Sequence, residues 1–272
     1  MRTIELVEGI KSSVLGFGCA PILGSVDENT GKRALDIAFA HGVTHFDLAR
    51  SYGYGEAERL VGKVMASRRD QIVLTSKFGI KANLMAALFR PVKPLVRIMK
   101  KAGPVPVPAG AAAAGLFHSR TRIDTRQMGR SLEVSLRALD TDYLDYFLIH
   151  EPLHRLENVD ELSEMANRLK ERGIIRAWGL AFMKHQTALH EDYLDRFDIL
   201  QFNNSPVEPD YERIKELRSQ DANILFSAIQ PSAGTMTPKE KLKKLFSDFP
   251  RSVILCSMFN EKHLRENIEN AC

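Results

Sequence analysis

Eight short apolar, β-branched runs recur along this chain, and stretches of helical period alternate with them. The runs occupy residues 14–19, 44–48, 72–76, 143–149, 174–180, 199–202, 224–228 and 253–256. Amphipathic stretches lie at 31–40, 57–65, 128–139, 159–172, 211–219, 239–246 and 261–270. Strands that alternate with helices run parallel, because each helix carries the chain back to the starting edge of the sheet. Eight such repeats in 272 residues predict an α/β fold, a closed (β/α)8 barrel of the TIM type, over an open doubly wound sheet. Ahead of the first run, residues 2–7 and 11–15 flank Glu8-Gly9, which predicts a hairpin under the barrel floor.

Composition places the whole chain, residues 1–272, in one domain: 44% of it is hydrophobic and no linker-like break divides it. Residues 1–9 carry Arg2, Glu5 and Glu8 and no apolar run, so they do not read as a secretory signal. No stretch reaches the roughly 18–20 apolar residues of a membrane span. Cys19, Cys256 and Cys272 are too few and too scattered for a disulfide framework or a cysteine-rich zinc site. A cytoplasmic location is the expectation that follows.

The formal net charge of +4 is unevenly spread. Residues 78–123 hold Lys81, Arg90, Lys93, Arg97, Lys100, Lys101, Arg120 and Arg122 and no acidic residue, which leaves −4 for the remainder. The basicity is local, and nucleic acid is not an expected partner. Residues 78–125 form a long insertion after the third strand. It comprises a basic amphipathic stretch at 83–101, interrupted at Pro91 and Pro94, and a Pro/Gly/Ala-rich run at 103–115. So long an irregular segment, on the face where barrel active sites lie, has three readings: a substrate lid, a dock for an anionic partner or membrane surface, or a solvated insertion.

Four residues carry chemistry. Asp47 ends the second strand, Tyr52 follows five residues later in a Gly-rich turn, Lys77 ends the third strand and His150 the fourth. Parallel strands bring these ends to one rim. A tyrosine with a pKa of about 10 is a poor acid or base near neutrality, and a lysine beside it is expected to lower that pKa. An aspartate holds the lysine, and a histidine orients a substrate oxygen. Together they form an acid–base system for interconverting C=O and CH–OH, with the hydride brought by a cofactor. His150-Glu151-Pro152-Leu153-His154 also matches the H-E-x-x-H zinc pattern. That chemistry needs a continuous helix, whereas here a strand runs into His150 and Pro152 disfavours a helix interior, so no metal is expected.

Over residues 14–267 the chain resembles the aldo-keto reductase family. The resemblance is carried by Leu15-Gly-Phe-Gly18, by Phe46-Asp47 with Tyr52-Gly53-x-Gly55-x-x-Glu58, and by Ser76-Lys77. It continues in Ser135-Leu-Arg-Ala-Leu-Asp-Thr-Asp-Tyr-Leu-Asp145, Leu148-Ile-His150-x-Pro152, Gly173-Ile-Ile-Arg-Ala-Trp-Gly179, Gln201 and His263-Leu-Arg-Glu-Asn267. The resemblance implies a catalytic tetrad of Asp47, Tyr52, Lys77 and His150, with Tyr52 the proton donor in reduction of an aldehyde or ketone. It also implies cofactor contacts from Gly18, Cys19, Asp47, Gln201, Ser227, Ala228, Cys256, Ser257, Asn260, His263 and Asn267. Gln201 would meet the nicotinamide carboxamide, and Ser227 and Ala228 would open the loop over the pyrophosphate.

The chain departs from the family pattern in two places. Where the family has a Ser-Asn pair after the fifth strand, this chain reads Leu180-Ala181-Phe182. Where NADPH-preferring members place basic residues, it has Ser257 and His263. NADP(H) is expected over NAD(H), with a small carbonyl compound, acidic by the charge of the insertion, as substrate. Two other functions stay open on these departures: a nucleotide- or partner-binding barrel without turnover, and a redox-neutral enzyme of elimination or epimerisation.

Overall fold

The computed structural model describes residues 1–89, 116–230 and 236–271, and begins with a hairpin of β1 (Thr3–Val7) and β2 (Ile10–Ser13). Gly9 makes the turn at φ 74°, a left-handed conformation that glycine adopts without strain. Three strands follow, β3 (Leu15–Gly18), β4 (His45–Asp47) and β5 (Val73–Phe78). A two-stranded antiparallel ribbon, β6 (Ile80–Ala82) and β7 (His118–Arg120), interrupts the series. Then come β8 (Leu144–His150), β9 (Ile175–Phe182), β10 (Ile199–Asn203), β11 (Asn223–Phe226) and β12 (Ser252–Cys256). The eight long-range strands close into a parallel barrel in the order β3-β4-β5-β8-β9-β10-β11-β12, with β12 pairing β3. This is the (β/α)8 architecture expected from the alternation.

Alternating side chains divide the apolar residues into two layers. Val73, Tyr146, Leu148, Ala177, Ile199, Ile224 and Val253 fill the barrel interior, and Leu6 and Ile10 of the hairpin pack onto them from below. Gly16 marks how tight this interior is. A Cβ there would lie 2.5 Å from Leu255 Cδ2 and 2.8 Å from Val253 Cγ1. The alternate residues, among them Phe17, Phe46, Leu74 and Phe147, face outward into the larger core shared with the helices.

Two helices begin three residues earlier than the apolar period alone indicates. Asp27 accepts a hydrogen bond from Thr30 N and starts the helix Glu28–Ala40; Asp124 accepts from Gln127 N and starts Thr125–Leu139. Each supplies a partner for an N–H that the first turn cannot satisfy itself. Between β9 and β10 only short helical turns occur, which matches the missing amphipathic stretch in that gap. Asp145, fully buried on β8, accepts from Leu74 N at 2.9 Å and pairs with Arg69 and Arg176, each at 2.9 Å. The Asp-Tyr-Leu-Asp motif therefore clamps β5, β8 and β9 together at the barrel's lower end.

The insertion departs from an irregular loop at both ends. Its ends pair as the β6–β7 ribbon, in the register Ile80–Arg120, Lys81–Ser119 and Ala82–His118, and Leu84–Phe89 is helical. The remainder of the 83–101 stretch and the Pro/Gly/Ala-rich run lie outside the described residues. No helix among the described residues is long and apolar enough to cross a membrane.

Candidate active site

The C-terminal ends of the barrel strands surround a cavity of about 460 Å³. Asp47 reaches it from the last position of β4 and Lys77 from β5, which runs one residue past the lysine rather than ending there. His150 closes β8. Tyr52 begins a tight turn, Tyr52–Gly55, in which Gly53 and Tyr54 adopt φ near 60°. Gly53 has no alternative: a Cβ on it would approach Ile22 O to 2.7 Å. The turn leads into the helix Ala57–Met65, where Glu58 is buried and accepts from Ser76 Oγ at 2.6 Å and Arg50 at 3.2 Å. Glu58 thus holds the residue next to Lys77 and belongs to the scaffold of the site.

Lys77 Nζ donates to Asp47 Oδ1 at 2.6 Å and to Leu48 O at 2.8 Å. It also lies 5.2 Å from the centre of the Tyr52 ring, and Tyr52 stands edge-on to the His150 imidazole with ring centres 6.1 Å apart. The four residues expected to act together therefore meet in one place. Strand register adds the rest of the wall, since His150, Ala181 and Gln201 are neighbours across β8, β9 and β10. Gln201 Nε2 donates to the other Asp47 oxygen, Oδ2, at 2.9 Å.

Electrostatics set the protonation states. Burial, followed by the nearby carboxylates of Asp47 and Glu151, holds the Tyr52 hydroxyl well above the ordinary phenol value. This is opposite in direction to what a lysine neighbour alone would do. Lys77 gives its hydrogen bonds to Asp47 and Leu48 O, and at rest burial decides the direction, so the phenol is kept protonated. Burial, then the positive Lys77, Arg120 and His118, pushes the His150 imidazole well below its usual value, and the ring is neutral. Cys256 lines the cavity, but burial pushes its thiol up to about 12, so it presents no thiolate.

Of the residues implied as cofactor contacts, Gly18, Asp47, Gln201, Ser227, Ala228, Cys256 and Ser257 line this cavity. Cys19 does not. It is fully buried with Sγ 3.6 Å from Phe17 O, and its N–H donates to Asp47 O at 3.0 Å, so it packs behind the cavity wall next to the tetrad. Asn260, His263 and Asn267 are also away from the lining. Asn260 caps the last helix, Glu261–Asn270, by accepting from His263 N; His263 is exposed and Asn267 is buried. The cavity wall adds residues that sequence reading did not place at the site, including Glu151, Phe226 and Gln230, and it takes in Ala181 from the departure at the end of β9. Glu151 directly follows His150 at a strand end, a position that marks it for attention apart from the zinc pattern that contains it. The segment 150–154 leaves β8 without forming a helix, so His150 and His154 do not share a helical face.

Two buried polar atoms of the site, Gln201 Oε1 and His150 Nδ1, have no hydrogen-bond partner among the described residues. Buried acceptors and ring nitrogens are ordinarily satisfied. A ligand bringing a donor to the Gln201 oxygen, as a carboxamide does, suits the arrangement.

The aldo/keto reductase family model matches residues 14–252. An aldo-keto reductase of Bacillus subtilis, YhdN, is 30% identical over 181 residues, covering 64% of this chain and 44% of its own. Norsolorinic acid reductase of Aspergillus flavus is 25% identical over 206 residues, covering 73% of this chain and 46% of its own. The matched stretches thus span less than half the length of these curated relatives. Among solved structures, an aldo-keto reductase from Klebsiella pneumoniae in complex with NADPH superposes with a TM-score of 0.66 at 21% identity, covering 99% of this chain and 89% of that one.

Proposed function

The chain belongs to the aldo/keto reductase family, and we propose from that premise that it moves a hydride between a nicotinamide cofactor and the carbonyl or alcohol carbon of a small molecule. The observation that carries this reading is the Asp47–Lys77 pair at 2.6 Å beneath the Tyr52 ring, facing a neutral His150 across one cavity. The bound cofactor supplies the hydride. This chain's residues do the remainder. A neutral His150 donates a hydrogen bond to the substrate oxygen and holds it beside Tyr52. Tyr52, kept protonated by its surroundings, gives its proton to that oxygen as negative charge develops there. Lys77, anchored between Asp47 and Leu48 O, stabilises the phenolate left behind until solvent reprotonates it.

Gln201 Oε1 would accept from the carboxamide, while Ala181, which stands where the family has polar side chains, adds a methyl group to the wall. NADP(H) is the proposed form over NAD(H). Its support is the capped N-terminus of the helix Glu261–Asn270, whose first turn presents exposed Lys262 and His263 where a phosphate is favoured. The Klebsiella relative's NADPH complex points the same way. A preference for acidic substrates rests on the charge of residues 78–123 alone. In the cavity Glu151 carries the opposite sign, and Arg120 is bonded to its carbonyl oxygen. Such a preference would show as a Michaelis constant that rises with salt for acidic aldehydes and not for neutral ones.

Tyr52→Phe tests the reading. Following NADPH consumption with a panel of small aldehydes, the variant should lose about 10²–10⁴-fold in turnover while nicotinamide fluorescence quenching reports nearly unchanged cofactor affinity. Turnover close to that of the unaltered protein would refute the assignment.

A further inference from the structure

The charges around the cavity do not balance. Its charged lining residues are Asp47, Lys77 and Glu151. Asp47 and Lys77 pair with each other at 2.6 Å, which leaves the Glu151 carboxylate. Arg120, the cation beside it, brings Nη2 to 4.0 Å from Oε2 and does not line the cavity. The Glu151 side chain keeps 32% of its surface exposed, so a bound molecule can reach it. The backbone here is held in a conformation that the residue type does not favour. Its φ is 46°, in the left-handed region where glycine alone escapes a clash of Cβ with its own backbone. Pro152 follows, and a proline pushes the residue before it towards extended backbone. Neighbours override both preferences: the Glu151 N–H donates to Ala181 O at 2.7 Å, and its carbonyl accepts from Arg120 Nη1. Residues other than glycine held this way cluster at ligand sites, where the surroundings sustain the strain. In this case the result is a carboxylate on the cavity wall, one residue beyond His150.

We infer that Glu151 is a specificity-determining residue, whose carboxylate favours carbonyl compounds that carry a positively charged nitrogen near the reacting carbon and disfavours anionic ones. This substrate class rests on the carbonyl-reduction reading above. The cavity is small, about 460 Å³, so a molecule held at His150 and Tyr52 shares it with Glu151. Much of the remaining wall is apolar, including Ala20, Pro21, Phe226 and Ile229, and offers a charged group no other compensation. A cation gains attraction to the carboxylate in this partly water-excluded space, and an anion meets a like charge. The carboxylate also acts on the tetrad, since after burial and Asp47 it helps keep Tyr52 protonated. A charge preference must therefore be read as a ratio between substrates, in which any effect on Tyr52 cancels.

Betaine aldehyde and tert-butylacetaldehyde have the same shape and differ by a quaternary nitrogen in place of a carbon, so the pair isolates charge. Their kcat/KM ratio should fall roughly fivefold in Glu151→Gln, which keeps size and hydrogen bonding and removes the charge. Succinic semialdehyde, an anion, should gain on the neutral aldehyde in the same variant. Glu151→Asp keeps the charge, suits a left-handed backbone better and should retain most of the preference. Binding of the product alcohols, choline and its tert-butyl counterpart, to the chain with NADP present reads the same preference without turnover. Followed by NMR titration, choline should lose affinity in Glu151→Gln by a similar factor, and the neutral alcohol should not. Turnover of both aldehydes with an unchanged ratio in Glu151→Gln overturns the inference and leaves carbonyl reduction standing. Choline binding that depends on Glu151, with neither aldehyde turned over, does the reverse. Thermal unfolding checks that the variants fold. If Glu151→Gln does not, the ratio in the unaltered chain should fall as salt is raised, and a ratio indifferent to salt overturns the inference.

Discussion

Gln201 and Lys77 grip the Asp47 carboxylate from two sides, Nε2 on Oδ2 at 2.9 Å and Nζ on Oδ1 at 2.6 Å. The glutamine therefore orients the tetrad as well as facing the cavity, and the two roles can be separated. Gln201→Leu removes both, and we expect turnover to fall about tenfold, in line with one buried hydrogen bond to a charged group, together with weaker cofactor binding. Gln201→Glu keeps an acceptor for a carboxamide but sets a second carboxylate against Asp47, so it should cut turnover more than Gln201→Leu. Steady-state kinetics beside fluorescence titration checks this; identical kinetics for all three proteins would show the Asp47 contact to be idle.

The barrel, the three strand-end residues Asp47, Lys77 and His150, and Tyr52 in its Gly-rich turn were legible because each depends on local pattern: apolar runs of strand length, and polar residues or glycines where those runs stop. What escaped depends on contacts across the fold. The β6–β7 ribbon consists of three-residue strands containing Lys81, His118 and Arg120, with no apolar period to announce it. The direction of the Tyr52 shift could not be read from its lysine neighbour. It is decided by burial and by the carboxylates of Asp47 and Glu151, which the barrel brings in from two different strand ends. Cys19 is implied as a cofactor contact by the resemblance, yet it is fully buried and does not line the cavity, a matter of packing that sequence does not display. The apolar run at 174–180 stops two residues short of the end of β9, because the strand continues to Phe182.

Cofactor selectivity should be adjustable at the last helix. Ser257 is exposed and donates to Gly18 O at 3.1 Å, and His263 is exposed in the helix's first turn, whereas Arg265 is already engaged with Glu261 and His41. Ser257→Lys with His263→Arg adds two permanent charges near the N-terminus. Charge-assisted hydrogen bonds contribute roughly 1.5–3 kcal/mol each at best, so NADPH should bind about tenfold tighter while NADH changes little. Equal changes for both cofactors would move the 2′-phosphate contact to Lys262.

Two glycines in helices should respond in opposite ways to alanine. A Cβ on Gly62 would sit 2.4 Å from Leu139 O and 2.6 Å from Leu139 C, backbone atoms that cannot yield as a side chain can. This is where the helix Ala57–Met65 meets the end of Thr125–Leu139. Gly62→Ala should therefore cost about 3 kcal/mol or more by forcing the helices apart. Gly129, inside Thr125–Leu139, offers open space, with only Met165 Cε at 3.7 Å. Gly129→Ala should stabilise by roughly 0.5–1 kcal/mol through helix propensity. Urea unfolding of both variants decides, and equal effects would contradict the close helix contact.

Acid should destabilise the fold through His45. Its ring is fully buried at the lower end of the barrel interior, with Nδ1 3.0 Å from Ser12 Oγ and Nε2 3.3 Å from Thr75 Oγ1. Burial, and secondarily Lys77, push its pKa down to about 3, against roughly 6.5 in an unfolded chain. Between those values the unfolded chain binds a proton that the folded one refuses. The His45 contribution to stability is thus intact above pH 6.5 or so and falls as pH drops towards 3, by about 1.4 kcal/mol per pH unit. His45→Gln keeps a donor and an acceptor near Ser12 and Thr75 but cannot titrate. It should be less stable than the unaltered protein at pH 7, and that deficit should shrink by about 2–3 kcal/mol on going to pH 4.5. Carboxylates titrate in both proteins and cancel in the comparison. A deficit that stays constant across this range would mean that His45 does not carry the acid sensitivity.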